Sequence, residues 1–561
     1  MKQWLTGPTA VAVAVTLLNA VKPAAVDDTA YLEFARHLAA NPGDPYGFEI
    51  FWYSAPEPAM GVLLPPVLPY WLALGRGVAG DHLFLLKLTL LPFSLVLCHS
   101  LAFLFGRFAP GAGPPLLAMT VLGPGVLPFF GVMLDVPALA LGLSAVACFI
   151  RGCDTERVGW VAGAGVLAGL AAQTKYSMLP VPAVLLWYAV LHRQPLFGVG
   201  AGAFAVAVFA GWESFVEARA GESHFLHHLR EQQASRKDWL DEKWNLFQPM
   251  VAYLGGTAVG FGLLAGRAIR LPRAFVAAVA GAGALGVAAV CVVPYSDSIV
   301  LRKPNGGVKL ELATLVFGSL GTGVLLASLG AAGVLLLRPR GLLRFRRLLR
   351  WNADSWFVAG WVAIELAAYF ALTPFPAGRR VIGIGVALAV LAGRTAVLTR
   401  LPVPQWIVAS TIAAGIGLFG LDTWDSFPER QLALRAADRV GDPGLATVWF
   451  NGHWGFQYYC DRAGMKPVEP GVSVLKAGDW LVFPVIPDDR GFYRPYHGGA
   501  KFRVDPASAE PVDEYVWEDS LAAQTIPELY GGTVPVRGRD HPRLRVAVYR
   551  VTREWIPERV K

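Results

Sequence analysis

Apolar runs long enough to cross a hydrocarbon core of ~30 Å recur from the N-terminus to about Gly420 and then stop. Dividing them at Gly/Pro-rich breaks and charged flanks predicts spans at about 6–24, 83–105, 113–131, 133–150, 158–174, 177–192, 196–217, 249–266, 273–294, 310–337, 353–372, 380–398 and 402–420, roughly 13 in all. The first run follows Lys2 as a signal peptide would, but no small-residue cleavage site stands out and more spans follow. It reads as a retained span. Residues 421–561 change character. Strand-like runs at 447–450, 480–485 and 544–551 alternate with polar connections, and 455–463 reads as a short helix. The predicted fold is a polytopic α-helical membrane domain, 1–420, followed by a soluble α/β or α+β domain, 421–561.

Between the first two spans lies a loop, 25–82, with a pattern of its own. Tyr31, Phe34, Ala35 and Leu38 repeat at i, i+3, i+4 and i+7, so 29–40 forms one apolar stripe suited to a helix lying in the interface plane. The stretch 65–74 is too short and too proline-broken to span, and reads as a second interfacial helix started by Pro65-Pro66. Asp27-Asp28 stands where the first span ends. Carboxylates are costly near hydrocarbon, so such a pair points to function.

Charge then orients the chain. The formal net charge is +8, yet residues 421–561 carry 18 Lys+Arg against 20 Asp+Glu, so the basic excess lies in the membrane part. Arg338, Arg340, Arg344, Arg346, Arg347 and Arg350 crowd one loop, Arg267, Arg270 and Arg273 another, and Arg394 and Arg400 bracket a third. All fall on one side if the spans alternate, which predicts that side to be cytoplasmic, with the N-terminus. The outer face then holds loop 25–82, Asp135, Lys175-Tyr176, the hydrophilic loop 218–248, the 374–380 loop and the C-terminal domain. At 54% hydrophobic residues and mean hydropathy +0.45, a soluble protein is excluded, and the basic loops imply no nucleic-acid partner. The five cysteines show no metal spacing, and with Cys460 alone in the soluble part there is no disulfide framework there. No Ser-His-Asp set, P-loop or dinucleotide fingerprint is present. His224, His227 and His228 have a spacing that would seat a metal, but without a clear third ligand the segment reads as a solvated helix.

Several motifs now fall in order: the acidic pair, the interfacial helix, and Pro65-Pro66-Val67-Leu68-Pro69-Tyr70-Trp71-Leu72-Ala73-Leu74-Gly75. Leu134-Asp135-Val136-Pro137, Leu170-Ala171-Ala172-Gln173-Thr174-Lys175-Tyr176 and the 374–380 loop follow. In this order the chain resembles the GT-C glycosyltransferases of the protein O-mannosyltransferase and aminoarabinose-transferase superfamily. Gly452-His453-Trp454-Gly455-Phe456-Gln457-Tyr458-Tyr459 is similar to bacterial members of unknown acceptor. The resemblance implies a bacterial inner-membrane enzyme with its C-terminal domain in the periplasm. It implies transfer of a sugar from a polyprenyl-phosphate donor to a lipid, glycan or protein acceptor. By position, Asp27 matches the base of the family pair and Asp28 its second member. The chain departs from the family at Leu63-Leu64, where members often carry His or Lys, and at Arg379-Arg380, where the usual reading is Arg-Tyr.

Displacing a phosphate from an anomeric carbon asks for a carboxylate to take the acceptor's proton and for fixed cations to meet the departing charge. Asp27 is the candidate base, and Asp28 is assigned to the acceptor or to a divalent cation, the one cofactor considered. Lys175, Arg379 and Arg380 are the candidate phosphate clamp. Tyr31, Asp135 and Tyr176 are the candidates to line the acceptor side. Plainer roles compete: either aspartate as helix N-cap, Lys175 snorkelling to the interface, His453 as a satisfied core histidine. A multi-span transporter of an anionic or lipid-linked substrate, and a lipid-linked glycan polymerase or ligase, are the alternative functions. Against transport stand the lack of an internal repeat and the position of the acids at one face.

Overall fold

A computed structural model describes residues 2–234, 239–269, 271–302, 308–337, 352–441, 446–487, 493–495, 502–519, 521–540 and 542–559. The basic loop with Arg338, Arg340, Arg344, Arg346, Arg347 and Arg350 lies outside them, as does Arg270.

Among the described residues six helices are long and apolar enough to cross a membrane: Leu83–Phe108, Asp135–Thr155, Pro195–Ala220, Leu312–Leu336, Ala353–Leu372 and Gln405–Val440. A bent pair, Lys243–Thr257 with Val259–Arg267 meeting at 78°, is apolar enough to count with them if its two helices form one span. Shorter apolar helices, among them Gly7–Val21, Val158–Ala172 and Ile382–Leu398, pack with these into one core. Two predicted spans are not single rods. The helix in 113–131 is only Gly113–Val121, because Gly123-Pro124-Gly125 follows it and a 3₁₀ turn, Leu127–Phe129, completes the stretch. The stretch 249–266 bends at Ala258, where the chain restarts a helix at Val259.

Loop 25–82 holds the two predicted surface helices, Asp28–Ala40 and Val67–Ala79, packed against each other. Phe34, Ala35 and Leu38 are buried, so the apolar stripe faces protein. The predicted boundary at 420/421 falls inside the unbroken helix Gln405–Val440, whose 36 residues span ~54 Å. Its last turns carry buried Asp422, Asp425 and Glu429 into the C-terminal domain. That domain is a mixed sheet in the order Lys466–Pro467, Val448–Phe450, Trp480–Pro487, Leu544–Val551, Ala509–Trp517. Val448–Phe450 runs parallel to both its neighbours, with helix Trp454–Arg462 as the crossover to Lys466–Pro467.

A second connection returns from the sheet to the membrane helices. Between Trp517 and Leu544 the chain leaves the sheet and buries Ile526, Leu529 and Tyr530 in the core of the bundle. Lys22 pairs with Asp422, whose carboxylate also accepts from Tyr530 Oη at 2.8 Å and Thr525 Oγ1 at 3.0 Å. Arg543 pairs with Asp425. Because Lys22 with Asp422 and Arg543 with Asp425 each join different segments, the sheet domain and the helices are tied together.

Candidate active site

The ends of four helices bring the predicted charges to one place. Asp135 opens its helix, with Pro137 tolerated in the first turn, and is 5% exposed. Lys175, extended between two helices, reaches it and forms a buried ion pair. Arg379 and Arg380 lie on a 3₁₀ turn, Gly378–Arg380, just before the helix Ile382–Leu398. Arg379 pairs with Asp27 across the chain. Asp27 precedes the helix Asp28–Ala40 without capping it by its side chain, so its carboxylate serves the arginine. Tyr31, one turn on, lies within the field of Asp27, Asp135, Arg379 and Arg380. Burial and the Asp27 charge keep its phenol protonated far above the usual range.

Arg380 differs from its neighbours. Its guanidinium stacks over Phe375 at 5.0 Å, and among the described residues it has no hydrogen bond and no carboxylate within ion-pair distance. Burial, then the Arg379 charge, pushes it down to about 10. Burial also pushes Lys175 down to about 8, against the pull of Asp135 and with Arg380 and Arg379 adding to the fall. Burial alone would lower Arg379, but Asp27 and Asp135 together hold it above its ordinary value. Three cations face two carboxylates, which leaves one positive charge uncompensated. A cavity of about 40 Å³ opens among Asp135, Lys175, Arg379 and Arg380, and the rest of its wall mixes apolar Leu139, Leu372 and Ile382 with Glu365 and Thr373. Fixed positive charge beside a small cavity favours an anion there.

The 379–380 turn is held from the C-terminal domain. A Cβ at Gly378 would lie 2.8 Å from Leu529 Cδ1 and 3.0 Å from Phe129 Cζ, so any larger residue would have to displace those side chains. Tyr253 Oη, in turn, donates to Glu528 O at 2.6 Å and Gly532 O at 2.8 Å.

Two predicted residues lie elsewhere. Asp28 is 2% exposed, and its carboxylate accepts from Val132 N at 2.8 Å and pairs with Lys87 at 3.5 Å. It fastens the turn before Asp135. Tyr176 bonds to His224 Nδ1 at 2.6 Å and Glu213 at 3.3 Å, in a polar knot behind Lys175. The histidine segment, His224–Ala234, is not simply solvated: His224 is fully buried and bonds to Leu63 O at 2.8 Å and His228 at 3.1 Å, because it ties the loop to the bundle. Among the described residues no group of three His, Cys, Asp or Glu side chains converges on one point. Asp27 and Asp28 point to different partners, so the pair does not fit a shared divalent cation.

The sequence reading missed Glu365, which lines that cavity and accepts from Trp361 Nε1 at 3.0 Å. Its signal was a lone carboxylate inside an apolar span. Lys22 and Lys87, at the ends of the first two spans, carried the same signal.

No protein-family model matches the chain, and no curated protein matches it in sequence. Among solved structures, the oligosaccharyltransferase AglB from Archaeoglobus fulgidus, in complex with an inhibitory peptide and a dolichol-phosphate, is similar over 83% of this chain, at 12% identity and a TM-score of 0.45. The chain spans 64% of AglB's length. ArnT from Cupriavidus metallidurans, bound to undecaprenyl phosphate, is similar over 86% of this chain and 93% of its own, at 15% identity and a TM-score of 0.38.

Proposed function

We propose that the chain is a multi-pass membrane glycosyltransferase. It moves a sugar from a polyprenyl-phosphate donor to an acceptor at the face that carries the C-terminal domain, the periplasmic face of a bacterial inner membrane. The observation that carries this reading is the unpartnered Arg380 beside the Asp27–Arg379 pair, at a cavity that Lys175, Arg379 and Arg380 line together. The donor phosphate takes Arg380, Arg379 and Lys175 as its clamp, and its prenyl chain leaves along Leu139, Leu372 and Ile382. In binding, it draws Arg379 away from Asp27. The freed carboxylate then accepts the proton of the acceptor as the new bond to the anomeric carbon forms. The bond from that carbon to the phosphate oxygen breaks, and its electron pair goes to the polyprenyl phosphate. One displacement inverts the sugar, and a phosphate leaving group needs no general acid.

The test is binding of undecaprenyl phosphate to the detergent-purified chain, wild type against Arg379→Ala with Arg380→Ala. Saturable binding in the wild type, lost in the double variant, is the expected result. A wild type that does not bind the lipid rules the reading out.

A further inference from the structure

The loop that carries Arg379 and Arg380 does little to hold itself. Pro374 and Pro376 offer no N–H, and the bonds within the turn run from Arg380 N to Ala377 O at 3.1 Å and from Val381 N to Gly378 O at 3.2 Å. Beyond the Asp27 pair and the Phe375 stack, neither guanidinium has a hydrogen bond among the described residues. When a phosphate draws Arg379 from Asp27, that pair no longer fixes the turn. What remains is packing from outside.

That packing comes from residues 523–538 of the C-terminal domain. Their ends pair antiparallel, Ala523–Gln524 with Arg537–Gly538, so the stretch is a closed finger with the short helix Glu528–Gly531 at its tip. Polar contacts fix its root. Asp425 accepts from Thr525 Oγ1 at 2.8 Å and Ile526 N at 3.3 Å, and Arg537 pairs with Glu311 and Glu528, each at 2.8 Å. At the tip Leu529 is fully buried, with its Cδ1 and its carbonyl oxygen facing Gly378. Tyr530 stands edge-on to Phe129, ring centroids 6.3 Å apart, and Phe129 is the other side chain against Gly378. Tyr253, from the bent helix pair, shares its hydroxyl proton between Glu528 O and Gly532 O, and so pins the two ends of the tip helix. Both tyrosines lie within the field of Arg379.

We propose that this finger is a working part of the donor clamp, with Leu529 and Tyr253 as positioning residues. Through it the C-terminal domain sets phosphate affinity, by holding the Gly378–Arg380 turn where both arginines reach the cavity. The proposal rests on the clamp reading given above. Neither positioning residue touches the phosphate. Apparent affinity falls with the fraction of time the binding-competent arrangement is present, so loosening the tip weakens binding without removing a charge. The linkage is reciprocal: a phosphate that needs the turn in place also steadies the finger.

Binding of undecaprenyl phosphate to the detergent-purified full chain, with thermal unfolding alongside, tests this in four variants. Leu529→Ala should weaken binding ~10-fold, as it would if the turn were in place about a tenth of the time. Leu529→Met refills the space and should stay within about twofold of wild type. Tyr253→Phe removes one hydrogen bond and should weaken binding ~3-fold. Leu104, equally buried, lies near the C-terminal end of the helix Leu83–Phe108, so Leu104→Ala should lose stability as Leu529→Ala does and bind as wild type. Hydrogen exchange gives the linked readout: the amides of 528–532 should slow when the lipid binds wild type, and not in Arg379→Ala with Arg380→Ala. If Leu529→Ala and Tyr253→Phe bind as wild type, the finger is only structural; the proposal falls and the donor reading stands. An equal loss in Leu104→Ala, or exchange in wild type that the lipid leaves unchanged, has the same meaning. If Leu529→Ala does not fold, Tyr253→Phe and the exchange experiment decide alone. A wild type that binds no lipid fells the donor reading, and the proposal with it.

Discussion

One helix, Asp135–Thr155, carries an ion cluster at each end, and the two are balanced differently. At its C-terminal end Arg107 meets Asp354 at 2.8 Å and Asp154 at 3.3 Å, while His192 and Arg394 also reach Asp354, at 3.2 and 3.7 Å. Every charge there has a partner of opposite sign. At the N-terminal end the Asp135–Lys175 and Asp27–Arg379 pairs are deeper, and Arg380 is left over beside a cavity. Both ends combine aspartates with arginines, and one adds a lysine where the other adds a histidine. A closed, balanced cluster clamps helix ends, whereas a cluster with a spare cation and space beside it is prepared for an anion.

The sharpest way to break this contrast is to remove the base. Asp27→Asn is expected to cut sugar transfer from a polyprenyl-phosphate donor ~10²–10⁴-fold, the usual worth of a positioned general base. Lipid binding should survive, and Asp154→Asn, in the balanced cluster, should leave transfer unaltered. Full activity in Asp27→Asn would mean that the carboxylate only anchors Arg379.

Depth of burial gives the next contrast. Asp135→Asn strands Lys175 in a dry setting and should destabilise the chain by ~3–5 kcal/mol. Adding Lys175→Met should recover most of that, because the charge stranded by the first change is then removed as well. Thermal unfolding in detergent reads both. If the double variant is no better than the single, the pair is not a closed electrostatic unit.

A third comparison addresses the spare cation itself. Charge-assisted bonds are worth ~1.5–3 kcal/mol, so Arg380→Ala should weaken undecaprenyl phosphate binding ~10–100-fold. Arg107→Ala should leave it within about twofold, since that arginine is saturated by its own carboxylates. Equal losses from both would show that the effect is one of general charge or folding.

How much of this was legible beforehand follows from what each signal depends on. The stripe of Phe34, Ala35 and Leu38, and the strands around Val482 and Val546, were readable because local periodicity dictates them. The meeting of Asp27 with Arg379, 352 residues apart, came out only because both lie at outer ends of predicted spans. Asp28 and Tyr176 could not be sorted from their neighbours, since one residue of register turns a side chain from the cavity to Lys87 or to His224. The return of the 523–538 segment into the bundle left no periodic trace. Its evidence is an ion network, Lys22 with Asp422 and Arg543 with Asp425, that no single segment displays. Nor does sequence reveal left-handed backbone at Val26 and Trp454, because neither residue favours it.

The smallest effect expected is also the one with two opposed readouts. Lys175, pushed down to about 8 by burial against the pull of Asp135, loses its charge as pH rises through that value. Donor phosphate binding should therefore weaken severalfold between about pH 7 and 9, and Lys175→Met should flatten the profile. Stability should move the other way. Between about 8 and the ordinary lysine value of ~10.4, the unfolded chain holds a proton that the folded chain has released, so unfolding free energy rises with pH over that window. No lysine in the balanced cluster does this, because that cluster is built on arginine. If binding and stability fall together as pH rises, the lysine is not the titrating member of the clamp, and the donor site is held by its arginines alone.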